Sequence, residues 1–176
     1  MRCPVRGNQE GGVRVSKNIL VVYKKNFEDV HDDALDIVKN TLEKIGEDLD
    51  INVNYSAREK VSREDFIERD LVVVLGGDGT LTSIAHSVDE NTPVMGVNSH
   101  PRDMDNDGSY GFYMGSDPIK FKEDIQKALS NNAIVNILPR LQAEISTTSG
   151  NIIRSDPALN DLLLANTHQY LSLIHI

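Results

Sequence analysis

The stretch Leu71-Val72-Val73-Val74-Leu75-Gly76-Gly77-Asp78-Gly79-Thr80 decides how the chain is read, and it runs directly into Leu81-Thr82-Ser83-Ile84-Ala85-His86-Ser87-Val88. Consecutive apolar residues, β-branched at the centre and closed by two glycines, read as a parallel strand buried on both faces and stopped by a tight turn. The residues after the turn read as a helix. A glycine-rich strand-to-helix turn lets a ligand come close to the backbone and aims N–H groups at it, which suits phosphate. Asp78, with Gly77 before it and Gly79 after it, puts a carboxylate where phosphate binding alone asks for none. Two roles are open from the residues: an acceptor for a substrate hydroxyl beside a bound polyphosphate, or a cap on the following helix.

Strand and helix signals alternate on both sides of this stretch. Asn18 to Tyr23 is a second short apolar run, expected as a central strand. From Asp29, Val30, Ala34, Ile37, Val38, Thr41, Leu42 and Ile45 fall at helical spacing, and Gly46 is placed to stop that helix. Ile51, Val53 and Tyr55 alternate with Asn52 and Asn54, the pattern of a half-exposed strand near an edge. Ser62-Arg63-Glu64-Asp65 before Phe66 predicts a short capped helix. Pro93 to Val97 reads as another buried strand, and Pro118 as the opening of a helix carrying Ile119, Phe121, Ile125, Ala128 and Leu129. The alternation predicts an α/β domain, an open parallel sheet with helices on both faces.

After about Ile134 the periodicity shortens. Leu141, Ala143 and Ile145 alternate, Thr147 to Asn151 supplies turn residues, and Ile152-Ile153 resumes, so a β-hairpin is expected. The organisation expected is a flexible extension over 1–16, an α/β nucleotide-binding domain over 17–133 and the beginning of an all-β domain over 134–170. Residues 161–166 are expected as a strand. So short a β segment cannot close a core, and residues 171–176 read as an extraneous tail, so the chain is expected to be truncated at its C-terminal side.

Composition narrows the function. With 27 acidic against 18 basic residues and a net charge of −9, adhesion to nucleic acid or to an anionic membrane is disfavoured, and no apolar run reaches the roughly 18 residues of a membrane helix. The opening residues lack the apolar segment of a secretory signal. Cys3 is the one cysteine, which excludes an internal disulfide and a Cys-based zinc site. The expected compartment is the cytoplasm, with an organelle left open. Asp103, Asp105, Asp107 and Gly108 imitate the start of a calcium loop, but the twelfth position is Met114 where a bidentate Glu is needed, so an acidic solvated loop is expected. The histidines show no metal-ligand spacing, and His86 is expected a turn or more away from any phosphate.

Three stretches together carry a resemblance. Gly76-Gly77-Asp78-Gly79-Thr80 resembles the GGDGT signature of a kinase superfamily that includes NAD kinases, diacylglycerol and sphingosine kinases and, more distantly, phosphofructokinases. Gly111-Phe112-Tyr113 resembles the Gly-Phe element of NAD kinases, and Ala158-Leu159-Asn160-Asp161 their second motif, 83 residues beyond Asp78. The chain is therefore similar to NAD kinases from about Lys17 to Ala165. The resemblance implies an NAD-kinase/phosphofructokinase-like fold and transfer of a γ-phosphoryl group from ATP to the 2′-hydroxyl of the adenosine ribose of NAD or NADH.

In that reading Asp78 is the catalytic residue. Gly76, Gly77, Gly79 and Thr80 hold phosphate, and Asn98, Phe112, Asn160 and Asp161 bind the acceptor nucleotide, Phe112 as an adenine shelf. Mg²⁺ comes with ATP, without a protein cage. The partners expected are small-molecule nucleotides, with homo-oligomers in the full-length protein. As it stands, the fragment is expected to be inactive. The residues 101–107 replace the compact glycine loop of many NAD kinases, which leaves NAD against NADH open. The alternatives are a non-catalytic NAD- or ATP-binding module and a lipid kinase of the same superfamily.

Overall fold

In a computed structural model of the chain, residues 16–25, 29–102 and 108–162 are described. Most of the expected N-terminal extension, the acidic triplet Asp103, Asp105 and Asp107, the end of the strand expected over 161–166, and the tail 171–176 lie outside them. Four strands, β1 (Lys17–Tyr23), β2 (Ile51–Ala57), β3 (Leu71–Gly76) and β4 (Val94–Asn98), pair in parallel in the order β2-β1-β3-β4. The wholly apolar segments take the centre: every residue of β3 is buried, whereas Asn52 and Asn54 keep one side of β2 polar at the edge.

Successive residues of the central strands feed opposite cores, as the pleat requires. Ile19, Val21, Val73 and Leu75 face the helices α1 (Asp29–Asp48) and α3 (Phe121–Leu129), which contribute Ala34, Leu35, Val38, Leu42, Ile45, Phe121, Ile125 and Leu129. Leu20, Val22, Val72 and Val74 face Phe66 of a 3₁₀ turn (Arg63–Phe66) and Leu81, Ile84 and Val88, the first two from α2 (Asp78–Ile84). Each such side chain contributes about 1.5–3 kcal/mol by leaving water. Helices thus cover both faces, as the alternation predicts.

Several local expectations change, beginning with Pro93 and Val94, expected in a buried strand and exposed where the edge strand β4 starts. Ile37 is 44% exposed and Leu35 is buried in its place. At about 100° per residue, Ile37 sits roughly 110° from the centre of the stripe formed by the other apolar positions. Gly46 does not stop α1, which runs on to Asp48; an interior glycine costs about 1 kcal/mol and the packed stripe outweighs it. α2 ends at Ile84, short of Val88, and the Arg140 guanidinium takes the next carbonyls, Ala85 and Val88, each at 2.6 Å. Ile119 is 83% exposed, outside the stripe of α3. Asp117 accepts the N–H groups of Ile119 and Lys120, both at 2.9 Å, so Pro118 does stand at the start of the turn, but the regular helix begins at Phe121.

The hairpin forms as expected. β5 (Glu144–Ser146) and β6 (Ile152–Arg154) are antiparallel, joined by a turn in which Thr147 and Asn151 bond each other's backbone. Arg154 crosses to Glu144 at 2.9 Å. Both strands are exposed along their length. Among the described residues this part is held to the α/β layers by Arg140 at the end of α2, by Arg63 to Asp156 at 3.3 Å, by the Tyr113 hydroxyl to Asn160 at 2.7 Å, and by Leu159 against the Phe66 side of the sheet.

Candidate functional site

In the strand order β2-β1-β3-β4 the chain leaves β1 toward one edge and returns past it toward the other, with α1 and α2 on opposite faces. The C-terminal ends of β1 and β3 are therefore the topological switch point, where open α/β sheets leave a crevice. Gly76 and Gly77 lie at that end of β3, and Asp78 is the first residue of α2.

Asp78 does not cap α2; the N-cap is Gly77, with no side-chain cap bond. Instead the carboxylate reaches across to another loop. Its Oδ2 accepts the Phe112 N–H at 3.0 Å and its Oδ1 the Tyr113 N–H at 2.8 Å. Two successive amides can converge on one carboxylate because Gly111 turns the chain at φ +70°, a conformation that side-chain-bearing residues rarely adopt. Neither role open from the sequence includes this brace between two motifs.

The Tyr113 ring packs at the rim of the core beneath α2, and its hydroxyl donates to Asn160 Oδ1 at 2.7 Å. Asn160 thus bonds a side chain from another motif instead of its own backbone. Asn160 and Asp161 line a cavity of about 380 Å³ together with Thr82, Ser83, His86, Ala158 and Leu159. His86 stands on the same wall as Thr82 and Ser83, four and three positions before it, a spacing that shares one helical face.

The other candidates are placed differently from one another. Phe112 is 87% exposed, with its ring 6.1 Å from that of Tyr110, over which Arg102 lies at 4.3 Å. Asn98 is buried and turned inward: its Nδ2 donates to the Ser109 carbonyl at 3.0 Å and its Oδ1 accepts the His100 N–H at 3.2 Å. Thr80 is buried against Gly76, and its N–H returns to the Gly77 carbonyl. Gly79, by contrast, is open, with nothing within 4 Å of where a Cβ would stand.

Nothing in the sequence marks Tyr113 out from its neighbours, because its backbone and its hydroxyl meet residues far away in the chain. Ser109, which holds Asn98, and the His31–Ser99 hydrogen bond of 2.7 Å joining α1 to the loop after β4 left no signal in the sequence. The exposed neighbours Arg102 and Tyr110 could have been noticed as a cation and an aromatic flanking a loop, but nothing in the pattern said that they stack.

The family description "ATP-NAD kinase N-terminal domain" matches residues 18–133. An NAD kinase of Pseudomonas fluorescens (strain SBW25) is 34% identical over 96 residues, 54% of this chain and 29% of that protein. One of Halorhodospira halophila (strain DSM 244 / SL1) is 30% identical over 122 residues, 66% of this chain and 37% of that protein. Among solved structures, an NAD kinase from Archaeoglobus fulgidus in complex with ATP superposes with a TM-score of 0.53 at 20% identity, covering 76% of this chain and 44% of that one. The chain thus spans about a third of the length of these curated relatives.

Proposed function

Because the chain belongs to the NAD kinase family, we propose that its site serves ATP-dependent phosphorylation of the 2′-hydroxyl of the adenosine ribose of NAD or NADH. The observation that supports this reading is the hydrogen-bonded chain that joins three separate stretches, from Asp78 at the turn after β3, through Gly111 to Tyr113, on to Asn160. Family membership favours a nucleotide acceptor over a lipid one.

In this proposal Asp78 orients the ribose hydroxyl. An ionised carboxylate offers about four lone-pair positions, so after accepting two backbone N–H groups Asp78 keeps capacity for a third donor. A loose phosphoryl transfer asks more for in-line placement than for early removal of the proton, and a carboxylate held at both oxygens is suited to placement. Gly76, Gly77 and Gly79 bring backbone close to phosphate, and Thr80 seats that turn from below. Phe112 gives the adenine an exposed face, Asn160 and Asp161 meet the rest of the acceptor nucleotide, and Asn98 contributes by holding the loop that carries Phe112.

In this proposal Mg²⁺ arrives on the nucleotide and neutralises its phosphates there.

Turnover needs donor and acceptor clamped from both sides, and the hairpin offers only exposed strands next to an open cavity. The chain by itself is therefore proposed to bind nucleotide without transferring phosphate. The test measures NADP(H) formation from ATP, Mg²⁺ and NAD or NADH, alongside calorimetric titration of each nucleotide. Binding without turnover is expected; turnover overturns the inactivity, and no binding of either nucleotide overturns the kinase reading. A non-catalytic nucleotide module is the second reading, favoured by the prior engagement of both Asp78 oxygens, and it requires that no form extended to its relatives' length turn over.

A further inference from the structure

We propose that Tyr113 is a positioning residue that orients the Asn160 amide and links it to Asp78, so that Asn160 presents N–H donors to the cavity and selects a ligand group that accepts a hydrogen bond. The proposal rests on the kinase reading for the identity of the ligand, a ribose oxygen or ring nitrogen of the acceptor nucleotide.

Tyr113 has two attachments of different kinds. Its backbone N–H is given to Asp78 Oδ1 at 2.8 Å, and its side-chain hydroxyl to Asn160 Oδ1 at 2.7 Å. Between them the ring is packed against the core that includes Leu20, Val22 and Phe66, which fixes where the hydroxyl stands. A tyrosine has few rotatable bonds, so little entropy is lost in holding that position. Asn160 lacks such support of its own, since residues 159–162 form neither helix nor strand and Asn160 is exposed. With the hydroxyl donating to Oδ1, the amide orientation is set and both N–H donors of Nδ2 are left for a ligand. A shift of Tyr113 changes the Asp78 carboxylate and the Asn160 amide together, which makes one residue the link between the two motifs. Phe112, its neighbour, points its ring outward and cannot serve this purpose.

The experiment uses the whole chain and three changes. Tyr113→Phe removes only the hydroxyl; Asn160→Asp keeps an acceptor for that hydroxyl but loses the donors; Asn160→Ala, alone and with Tyr113→Phe, closes a double-mutant cycle. NAD and ATP affinities are measured by calorimetry, and the Asn160 side-chain NH₂ signals by NMR. The expected results are an NAD affinity about tenfold weaker in Tyr113→Phe and at least as weak in Asn160→Asp, with ATP affinity unchanged in both. In the Asn160→Ala background Tyr113→Phe adds nothing, and in the single variant the Asn160 NH₂ signals move to the shifts of a freely rotating side chain. Additive losses, an equal fall in ATP affinity, or unchanged NH₂ signals overturn the proposal. If the unmodified chain binds no NAD, the NMR comparison by itself decides the positioning role; if it binds neither NAD nor ATP, the kinase reading fails as well.

Discussion

Asp78 and Tyr113, 35 residues apart, are joined by a hydrogen bond of 2.8 Å from the tyrosine backbone to the aspartate carboxylate. The bond makes the glycine-rich turn and the loop after β4 one unit. It also changes what a substitution at Asp78 does.

Asp78→Asn replaces one acceptor oxygen by an NH₂ group that faces a backbone N–H. One of the two loop bonds is lost, so the chain is expected to lose about 1–2 kcal/mol, a fall of several degrees in Tm. In a catalytically active extended form, turnover is expected to fall a hundredfold or more. A carboxylate that served the substrate hydroxyl alone would leave Tm unchanged, so calorimetry separates that role from the brace. A Tm equal to that of the parent would show that the brace contributes nothing.

Gly76 and Gly79 are expected to respond oppositely to alanine. At Gly76 an added Cβ would stand 2.8 Å from Thr80 Cβ, and the overpacking is expected to cost about 1–3 kcal/mol. At Gly79 the space is open, and alanine within α2 is expected to leave stability unchanged or raise it by up to about 1 kcal/mol. Nucleotide titration of Gly79→Ala then reads ligand approach without a folding defect; undiminished ATP affinity would remove Gly79 from the phosphate site.

Arg140 joins the linker before the hairpin to the end of α2 through the Ala85 and Val88 carbonyls. Arg140→Ala leaves two carbonyls of a partly buried helix end without that donor, and a loss of about 1–3 kcal/mol is expected. Hydrogen exchange should accelerate most in 85–88 and in the hairpin. Uniform acceleration over the whole sheet would mean that Arg140 acts on global stability alone.

Acid should weaken two specific turns. Burial opposes ionisation of Asp89, but the Asn91 and Thr92 N–H groups, the Thr92 hydroxyl and the Arg140 guanidinium outweigh it and hold the carboxyl below its usual value. Burial likewise opposes Asp117, where the N–H and ammonium of Lys120 and the Ile119 N–H prevail. Both groups are depressed in the folded state, so their contribution is complete above the ordinary carboxylate value of about 4 and is lost as pH falls below it. Tm followed from pH 6 downward should decline below about pH 4, less steeply in Asp89→Asn and Asp117→Asn. Equal slopes in parent and variants would assign the decline to other carboxylates.

Much of the architecture was legible because burial on two faces leaves a plain mark. Asn18 to Tyr23 and Leu71 to Leu75 read as central strands and are central, and the asparagines of β2 mark an edge strand. The hairpin followed from alternation and turn residues. Less legible were the ends of helices, where tertiary partners outrank local signals. Gly46 yields to the packed stripe of α1, Arg140 receives carbonyls just beyond a shortened α2, and Asp117 rather than the apolar spacing sets how α3 begins.

At the site the division follows the same physics. Chain order alone determined that a carboxylate sits among glycines after a buried strand, since strand and turn are local properties of consecutive residues. That Asp78 grips the amides of Phe112 and Tyr113, that Tyr113 reaches Asn160, and that His86 joins Asn160 and Asp161 around one cavity was decided only by folding. Hydrogen bonds between residues 34 to 47 positions apart depend on where the sheet and its covering helices place each loop, and no period or spacing in the sequence encodes that distance.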